Sequence, residues 1–569
     1  MMNSRKMHQS ALTLIAVAVG CLVAGPAWAA WPNVEWPDPE SSYTYWEELE
    51  RDCRTIRAFD YDPTPRELSQ ALAKAGSNGR TRLDLGLSLI TRAASGRQAD
   101  TGEYPMLPLP TWERPREAAR AIAAAKTMAG VKELVLDGYP LTAEAAGIIA
   151  ASANLGALEV LSLSRAQARG PALHELLAPG ALPALVELDL TNNPLKAADL
   201  EELATRMAER RLRSLKLGAS NKGYQDTPIK RLPHDTAALA ALARIASTPS
   251  LVTLGLGNER IGFAELEALL KVHRAQPLEI EIAGLPTLTA SQLMALTALD
   301  PDLHVTFSVS DLGIEPARLR ALDRSGLLGK VSSLGLRCGD ACAQTIARSS
   351  HAGHLRKLVF GCEENVEFSW KTGVALARAT SLSALRELSF DNDIEGCKAA
   401  GLGAKGLRFL LAAPFAGQLE ALTFVDQGLN GAGYIALAQA TSLKVLKRLA
   451  AVDEETILTP DNVRLLFRDG ALASHLEELR LSNEANANLP LTELGKGLRM
   501  PKLRLLELPF TNPPSLREWL RLVRAPGWQE VRVLSIPRGS PPAEGDEERH
   551  SDRLLREIRA HLAPDACLP

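Results

Sequence analysis

No long cationic run occurs in this sequence of 569 residues, and its 64 basic residues are set against 67 acidic ones for a net charge of −3. A chain so balanced has no basic stripe for a nucleic-acid backbone or an anionic membrane surface, and neither is expected as a partner. The apolar run at residues 11–24 falls short of the ~20 residues that cross a bilayer, so no transmembrane segment is expected in the mature chain. Sequence motifs that carry chemistry are missing too. There is no H-E-x-x-H, no G-x-S-x-G and no G-x-x-x-x-G-K-S, so the chain reads as a non-enzyme that needs no cofactor and no metal. Aromatic residues are scarce, at 5%, which leaves aliphatic side chains to fill the interior.

What is present is leucine at fixed offsets. The stretch L-V-E-L-D-L-T-N-N-P-L, residues 185–195, has leucine at its first, fourth, sixth and eleventh positions and Asn193 at its ninth. Leu188 and Leu190 are two apart, the strand period, and Glu187, Asp189 and Thr191 alternate with them. The segment therefore reads as a short strand with one buried face. A lone strand of this length cannot stabilise itself, but the pattern recurs. Copies begin at Val131, Leu158, Leu185 and Leu212, each 27 residues after the last. Further copies begin at Leu251, Val331, Leu355, Leu385, Leu419, Leu476, Leu503 and Val531, with weaker ones at Leu278, Leu303 and Leu443. These make fifteen, and the segment around Leu83 reads as a possible degenerate sixteenth.

Between the strands the period changes. After Thr142, Lys196 and Phe263 apolar residues recur three and four apart among good helix formers, so each unit is strand, loop, helix, loop. On these residues the chain resembles the leucine-rich repeat family, and residues 185–195 match its L-x-x-L-x-L-x-x-N-x-L consensus at every fixed position. The 27-residue period with a full helix is similar to the ribonuclease-inhibitor-like subclass, including bacterial exported proteins. The resemblance spans residues 131–537 and implies an α/β solenoid, a leucine-rich repeat horseshoe of about 15 repeats with a parallel concave sheet and convex helices. One departure accompanies it. The family's ninth-position asparagine satisfies backbone groups in the buried turn, yet other copies hold Glu259, Gly339, Glu484 or Thr511 there, so several turns are expected to be irregular.

The ends read differently. Arg5 and Lys6 precede the apolar run, and Gly25 and Pro26 precede Ala27-Trp28-Ala29, which predicts a signal peptide at 1–29 cut before Ala30. Ala18-Val19-Gly20-Cys21 also loosely matches a lipoprotein site, so anchoring through Cys21 is the alternative; either way the chain is exported, to the periplasm or beyond. Residues 30–130 form an N-terminal cap region rich in Trp, Tyr and Pro, for which a glycan platform is a second reading. Residues 538–569 read as a linker followed by an amphipathic C-terminal helix.

Two groups of residues are candidates for function. Cys338, Cys342, His351, His354 and Cys362 fall within 25 residues, a spacing open to a zinc site. A helix between the cysteines and the histidines would hold them ~15 Å apart at 1.5 Å per residue, which argues against it. In an exported chain Cys338, Cys342, Cys362 and Cys397 are instead disulfide candidates. Two pairings are open: Cys338 with Cys362, or Cys338 with Cys342 and Cys362 with Cys397, and a bridge involving Cys362 is favoured. The second group is the outward row of the sheet. Glu133, Asp137, Glu187, Asp189, Glu279 and Glu281 make its first half acidic, with Lys216 the main exception, whereas Arg337, Lys357, Lys447, Glu387, Asp391, Glu478, Arg480 and Glu507 mix signs in the second. Polar insertions after the strands near 218, 362 and 391 suggest a loop edge as a further contact surface. The expected function is a protein–protein recognition scaffold, with another protein as partner. The alternatives are a structural envelope component and a glycan-binding or glycan-active protein.

Overall fold

This computed structural model describes most of residues 115–219, 235–257, 261–309, 316–361, 369–391, 401–452, 458–482, 491–508 and 516–535, with short pieces within 55–84. Its centre is a 17-stranded sheet. The strands are β1 (Thr55–Arg57), β2 (Arg82–Asp84), β3 (Glu133–Val135), β4 (Val160–Ser162), β5 (Glu187–Asp189), β6 (Ser214–Ala219), β7 (Thr253–Gly257), β8 (Leu278–Ile282) and β9 (Val305–Val309). They continue as β10 (Val331–Leu336), β11 (Lys357–Gly361), β12 (Glu387–Asp391), β13 (Ala421–Val425), β14 (Arg448–Val452), β15 (Glu478–Ser482), β16 (Leu505–Glu507) and β17 (Val533–Ser535). Each strand pairs in parallel with the next in sequence, from β1–β2 to β16–β17. Among the described residues no ladder joins β17 back to β1, so the sheet is open. Helices fill the return path of most repeats, for example Ala197–Met207 after β5 and Trp370–Ala377 after β11.

The molecule is thus the α/β solenoid of stacked repeats that the resemblance implies, and all fifteen repeats counted in the sequence hold a strand. The segment at Leu83 forms a further strand of the sheet, β2, and β1 adds another that lacks any leucine pattern and was not foreseen. Three weak copies sit in a different register from the one read in the sequence. Thr253 pairs with Glu279 and Glu279 with Thr306, so those copies begin at Pro277 and His304. The third correction is larger. Leu449 pairs with Leu422 and Leu479, which starts that copy at Leu446 and not at Leu443. Leucines three apart satisfy either register, but the earlier one would drive Arg448 into the buried sixth position, at the cost of desolvating a guanidinium. Ala451 takes that place, 1% exposed.

Leucines at the first, fourth and sixth positions stack into one continuous core. At β11–β13 the sixth position becomes phenylalanine, and Phe360, Phe390 and Phe424 stack with centroids 5.5 and 5.7 Å apart. The parallel ladder imposes this offset overlap, because identical positions lie one strand spacing apart. Next to the stack, where Ala451 is small, the buried Tyr434 enters and its hydroxyl donates to the Ala451 carbonyl, 3.2 Å.

Polar side chains tie one repeat to the next. Arg210 donates to the carbonyls of Ala178 and Ala181, both 2.6 Å, just past the C-terminus of the preceding helix Pro171–Leu176. Arg274 does the same for Thr248, and Gln418 for Leu382. Lys330, 3% exposed, gives its ammonium to the Asp300 carbonyl at 2.6 Å, and burial lowers its pKa. Each of these cations or amides adds a donor to carbonyls in the turn that follows a helix.

The asparagine reading holds where it was strict. Asn193, 1% exposed, accepts from the Ala168 N–H at 2.9 Å and donates to the carbonyls of Leu163 and Leu190 at 2.7 and 2.9 Å, which bridges two turns. Gln427 occupies the same ninth place in its own repeat. Fully buried, it accepts from the Leu402 N–H at 3.2 Å and donates to the Val425 carbonyl at 2.8 Å. A glutamine thus takes the asparagine's role one methylene further out, a substitution the consensus does not reveal.

Candidate binding face

Strand alternation sends the fourth and sixth residues of each repeat inward and the third and fifth outward, opposite the helices. The register aligns those outward residues into rows across the sheet. In the third row Glu133, Val160, Glu187, Ser214, Thr253 and Glu279 follow one another, and Lys357, Glu387, Ala421, Arg448 and Glu478 continue it on the later strands. All are half-buried. The fifth row runs beside it through Asp189, Lys216, Gly255 and Glu281.

The candidate residues sit on this face, and many of their charges are paired. Glu133 meets Arg82 at 2.8 Å, Glu187 meets Lys216 at 3.0 Å, and Arg480 meets Glu507 at 3.1 Å. Glu387 gathers two cations, Lys357 at 3.8 Å and Arg448 at 2.5 Å. Arg448 reaches it from two strands away, across Ala421, whose methyl leaves the path open. Glu279 accepts the Ser332 hydroxyl at 2.6 Å, and Asp189 accepts the Thr191 N–H at 2.8 Å. Asp137 lies at the end of β3 and accepts the Ser162 hydroxyl at 2.6 Å and the Ser164 N–H at 2.9 Å, so it shapes the turn as well as the face. Arg337 leans over Gly361, its Cγ 3.7 Å from where a Cβ there would stand.

The densest charge lies around Gly255. A Cβ on that residue would meet the Lys216 Cγ at 3.0 Å and the Glu281 Oε2 at 3.4 Å, so both side chains lean across a strip of bare backbone. Burial alone would lower the Lys216 pKa, but the carboxylates of Glu187 and Asp189 outweigh it and hold the ammonium above its ordinary value. Burial pushes the Glu281 carboxyl up; Lys216 opposes that, while Glu279 and Glu187 add to it. Both groups are only partly withdrawn from water.

Two partners on this face escaped the sequence reading for identifiable reasons. Arg82 belongs to the degenerate second repeat, and Arg448 was hidden by the register at Leu443, which put Lys447 on the face in its place. Lys447 is in fact a rim residue that pairs with Glu420 at 2.9 Å. The Cys338 and Cys342 sulfurs lie at bonding distance with Cα atoms 5.5 Å apart, which excludes the alternative pairing of Cys338 with Cys362. Cys338 caps the helix Gly339–Arg348 and Cys342 lies in its first turn, so the helix itself brings them together. Cys362 and Cys397 lie outside the described residues, as do the polar insertions at 220–232, 362–368 and 392–400 and the N-terminal segment 1–54. His351 and His354 fall beyond the far end of that helix, and the imidazole of His351 faces Asp323 at 3.2 Å. Among the described residues no three His, Cys, Asp or Glu side chains are grouped to hold a metal ion, and no helix is long and apolar enough to cross a membrane.

No known protein family matches the chain, and no curated protein is similar to it in sequence. Among solved structures it is similar to an internalin from Listeria monocytogenes strain 4b F2365, at 15% identity, over 74% of this chain and 94% of that one, with a TM-score of 0.26. The architecture described above rests on this chain's own ladder of strands.

Proposed function

We propose that this is an exported scaffold that recognises another protein through the concave face of its solenoid. One observation carries the reading: the third-position row stays half-exposed from β3 to β15, so one continuous and largely polar surface, interrupted by Val160 and Ala421, runs along the sheet. Rigid solenoids use such surfaces for extended contact, since a partner can touch many repeats without any of them moving. The acid-rich stretch from Glu133 to Glu281 favours a partner segment with lysine or arginine, whose approach the carboxylates would steer. Export is supported by the predicted leader at 1–29 and suits a bridged Cys338–Cys342 pair, because disulfides persist in oxidising compartments.

The test is spatial. A photo-crosslinking side chain at Thr253, on the face, is expected to capture a discrete partner in the native cell; one at Met294, 67% exposed on a helix, is expected to capture none. Lysine at positions 187, 189, 279 and 281 together should then weaken capture from Thr253, most at low salt, because exposed charges are screened over ~10 Å at 0.1 M. Capture from Met294 alone would overturn the assignment of the face.

A further inference from the structure

The two halves of the concave face are out of step where β9 meets β10. Phe307 pairs with Val331 and the next residue, Ser308, pairs with Ser333, so Ser332 is an extra residue that bulges the strand. Its hydroxyl donates to Glu279 at 2.6 Å, and the third row of the first half ends there. The fifth row is the one that runs on. Gly255, Glu281, Ser308, Ser333, Lys357 and Glu387 stand side by side on the consecutive strands β7 to β12.

Charge on this line is not evenly satisfied. Lys216 is held by Glu187 and Glu279 is engaged by Ser332, whereas Glu281 makes no hydrogen bond or ion pair with any described group. It is the one carboxylate named on the face of which this is true. On the far side of the two serines Lys357, 32% exposed, stands 3.8 Å from Glu387, whose nearer cation is Arg448 at 2.5 Å. An ammonium carries three donors, so Lys357 can take a further acceptor and keep the partner it has. Between these charges Ser308 and Ser333 are half-buried, and their hydroxyls bond no described group. The floor there is low and polar.

Granting that the concave face is the binding surface, on which this inference rests, we propose that an extended segment of the partner lies along this line. It sets a lysine or arginine on Glu281 and an aspartate or glutamate on Lys357, with small residues between them passing over Ser308 and Ser333. The spacing follows from the sheet. Strands lie ~4.8 Å apart, so the three steps from β8 to β11 make ~14 Å, which an extended chain covers in about four residues at ~3.3 Å each. Side chains four apart on such a chain point the same way, because its period is two.

A phage-displayed library of linear peptides, selected on the full-length protein, tests this. Peptides with one basic and one acidic residue four apart, in either order, are expected to be enriched several-fold over the unselected library. Glu281→Lys should shift the enriched pair to two acids, and Lys357→Glu should shift it to two bases. Both substitutions fall at half-exposed positions, so unfolding midpoints should match that of the parent chain. The same pattern in all three proteins, or no preference at that spacing, would overturn the proposal. Capture from Thr253 without the pattern would remove this segment and leave the face as the binding surface; the pattern without capture would do the reverse.

Discussion

Replacing Asn193 by alanine removes three hydrogen bonds of 2.9 Å or less, and a longer fourth to the Thr191 carbonyl at 3.4 Å, from a side chain that is 1% exposed, and the structure shows which of its partners are left alone. The Leu163 carbonyl still accepts the Ala166 N–H at 3.1 Å, and the Leu190 carbonyl still accepts the backbone N–H of residue 193 at 3.3 Å. The Ala168 N–H has the amide oxygen as its acceptor, and it becomes a buried donor with none. A buried group left unsatisfied costs ~1–3 kcal/mol, and each carbonyl that keeps one partner loses ~0.5–1 kcal/mol more. The expected loss is ~2–5 kcal/mol, concentrated in the repeats that start at Leu158 and Leu185. Because stability in a stacked array is largely local, amide hydrogen exchange of peptides covering residues 163–172 is the sharper assay. Protection there should fall by at least ~30-fold, since 1.4 kcal/mol is a factor of ten. Repeats beyond β9 should exchange as before. Unchanged exchange at Ala168 would refute the claim that this asparagine bridges the two turns. Aspartate at the same site should be worse than alanine, because it would turn a carboxylate oxygen toward two carbonyls.

Phe390→Ala removes the middle ring of the Phe360–Phe390–Phe424 stack and should cost ~3–5 kcal/mol, whereas Phe390→Leu, the residue most other repeats hold there, should cost well under half of that in urea denaturation. Trypsin leaves Cys338 and Cys342 together in the peptide 338–348, so the bridge should appear in unreduced protein as a loss of two hydrogens; recovery of both thiols alkylated would contradict it and weaken the export reading. Burial holds the Glu281 carboxyl above its ordinary 4.5, so acidification protonates it ahead of an unperturbed glutamate. The sign follows from that direction: the ionised form is the disfavoured one in the folded chain, so this group's contribution to stability improves as pH falls through its raised pKa, while attraction for a cationic partner declines. Glu281→Gln should therefore flatten the acid side of the binding profile and not lower stability near neutrality, and a profile unchanged in that variant would exclude Glu281 from the contact.

The repeat count, the strand and helix order and the inward leucines were legible because they follow from local rules. A period of two forces alternation, a period near 3.6 makes an apolar stripe, and a recurring unit too small to bury its own core must stack. The outward positions of Glu133, Glu187, Glu279 and Lys357 follow from the same alternation. What the linear pattern could not decide were choices that depend on a neighbour. Leu443 and Leu446 fit the consensus equally well, and only stacking against Leu422 and Leu479 kept Arg448 out of the core and brought it to Glu387. Gln427 takes the asparagine's place through a contact to the Leu402 N–H of the preceding repeat, which a linear pattern does not show. The first half of the face read as acidic with Lys216 its main exception, yet the pairing of Glu133 with Arg82, Glu187 with Lys216 and Glu387 with Arg448 depends on which strands lie side by side. Cys338 turned to Cys342 because a helix begins between them, and one helical turn sets their Cα atoms 5.5 Å apart, within the range a bridge tolerates. Periodicity determined the scaffold; the contacts between repeats, where desolvation and hydrogen bonding are settled pair by pair, were decided by the tertiary structure.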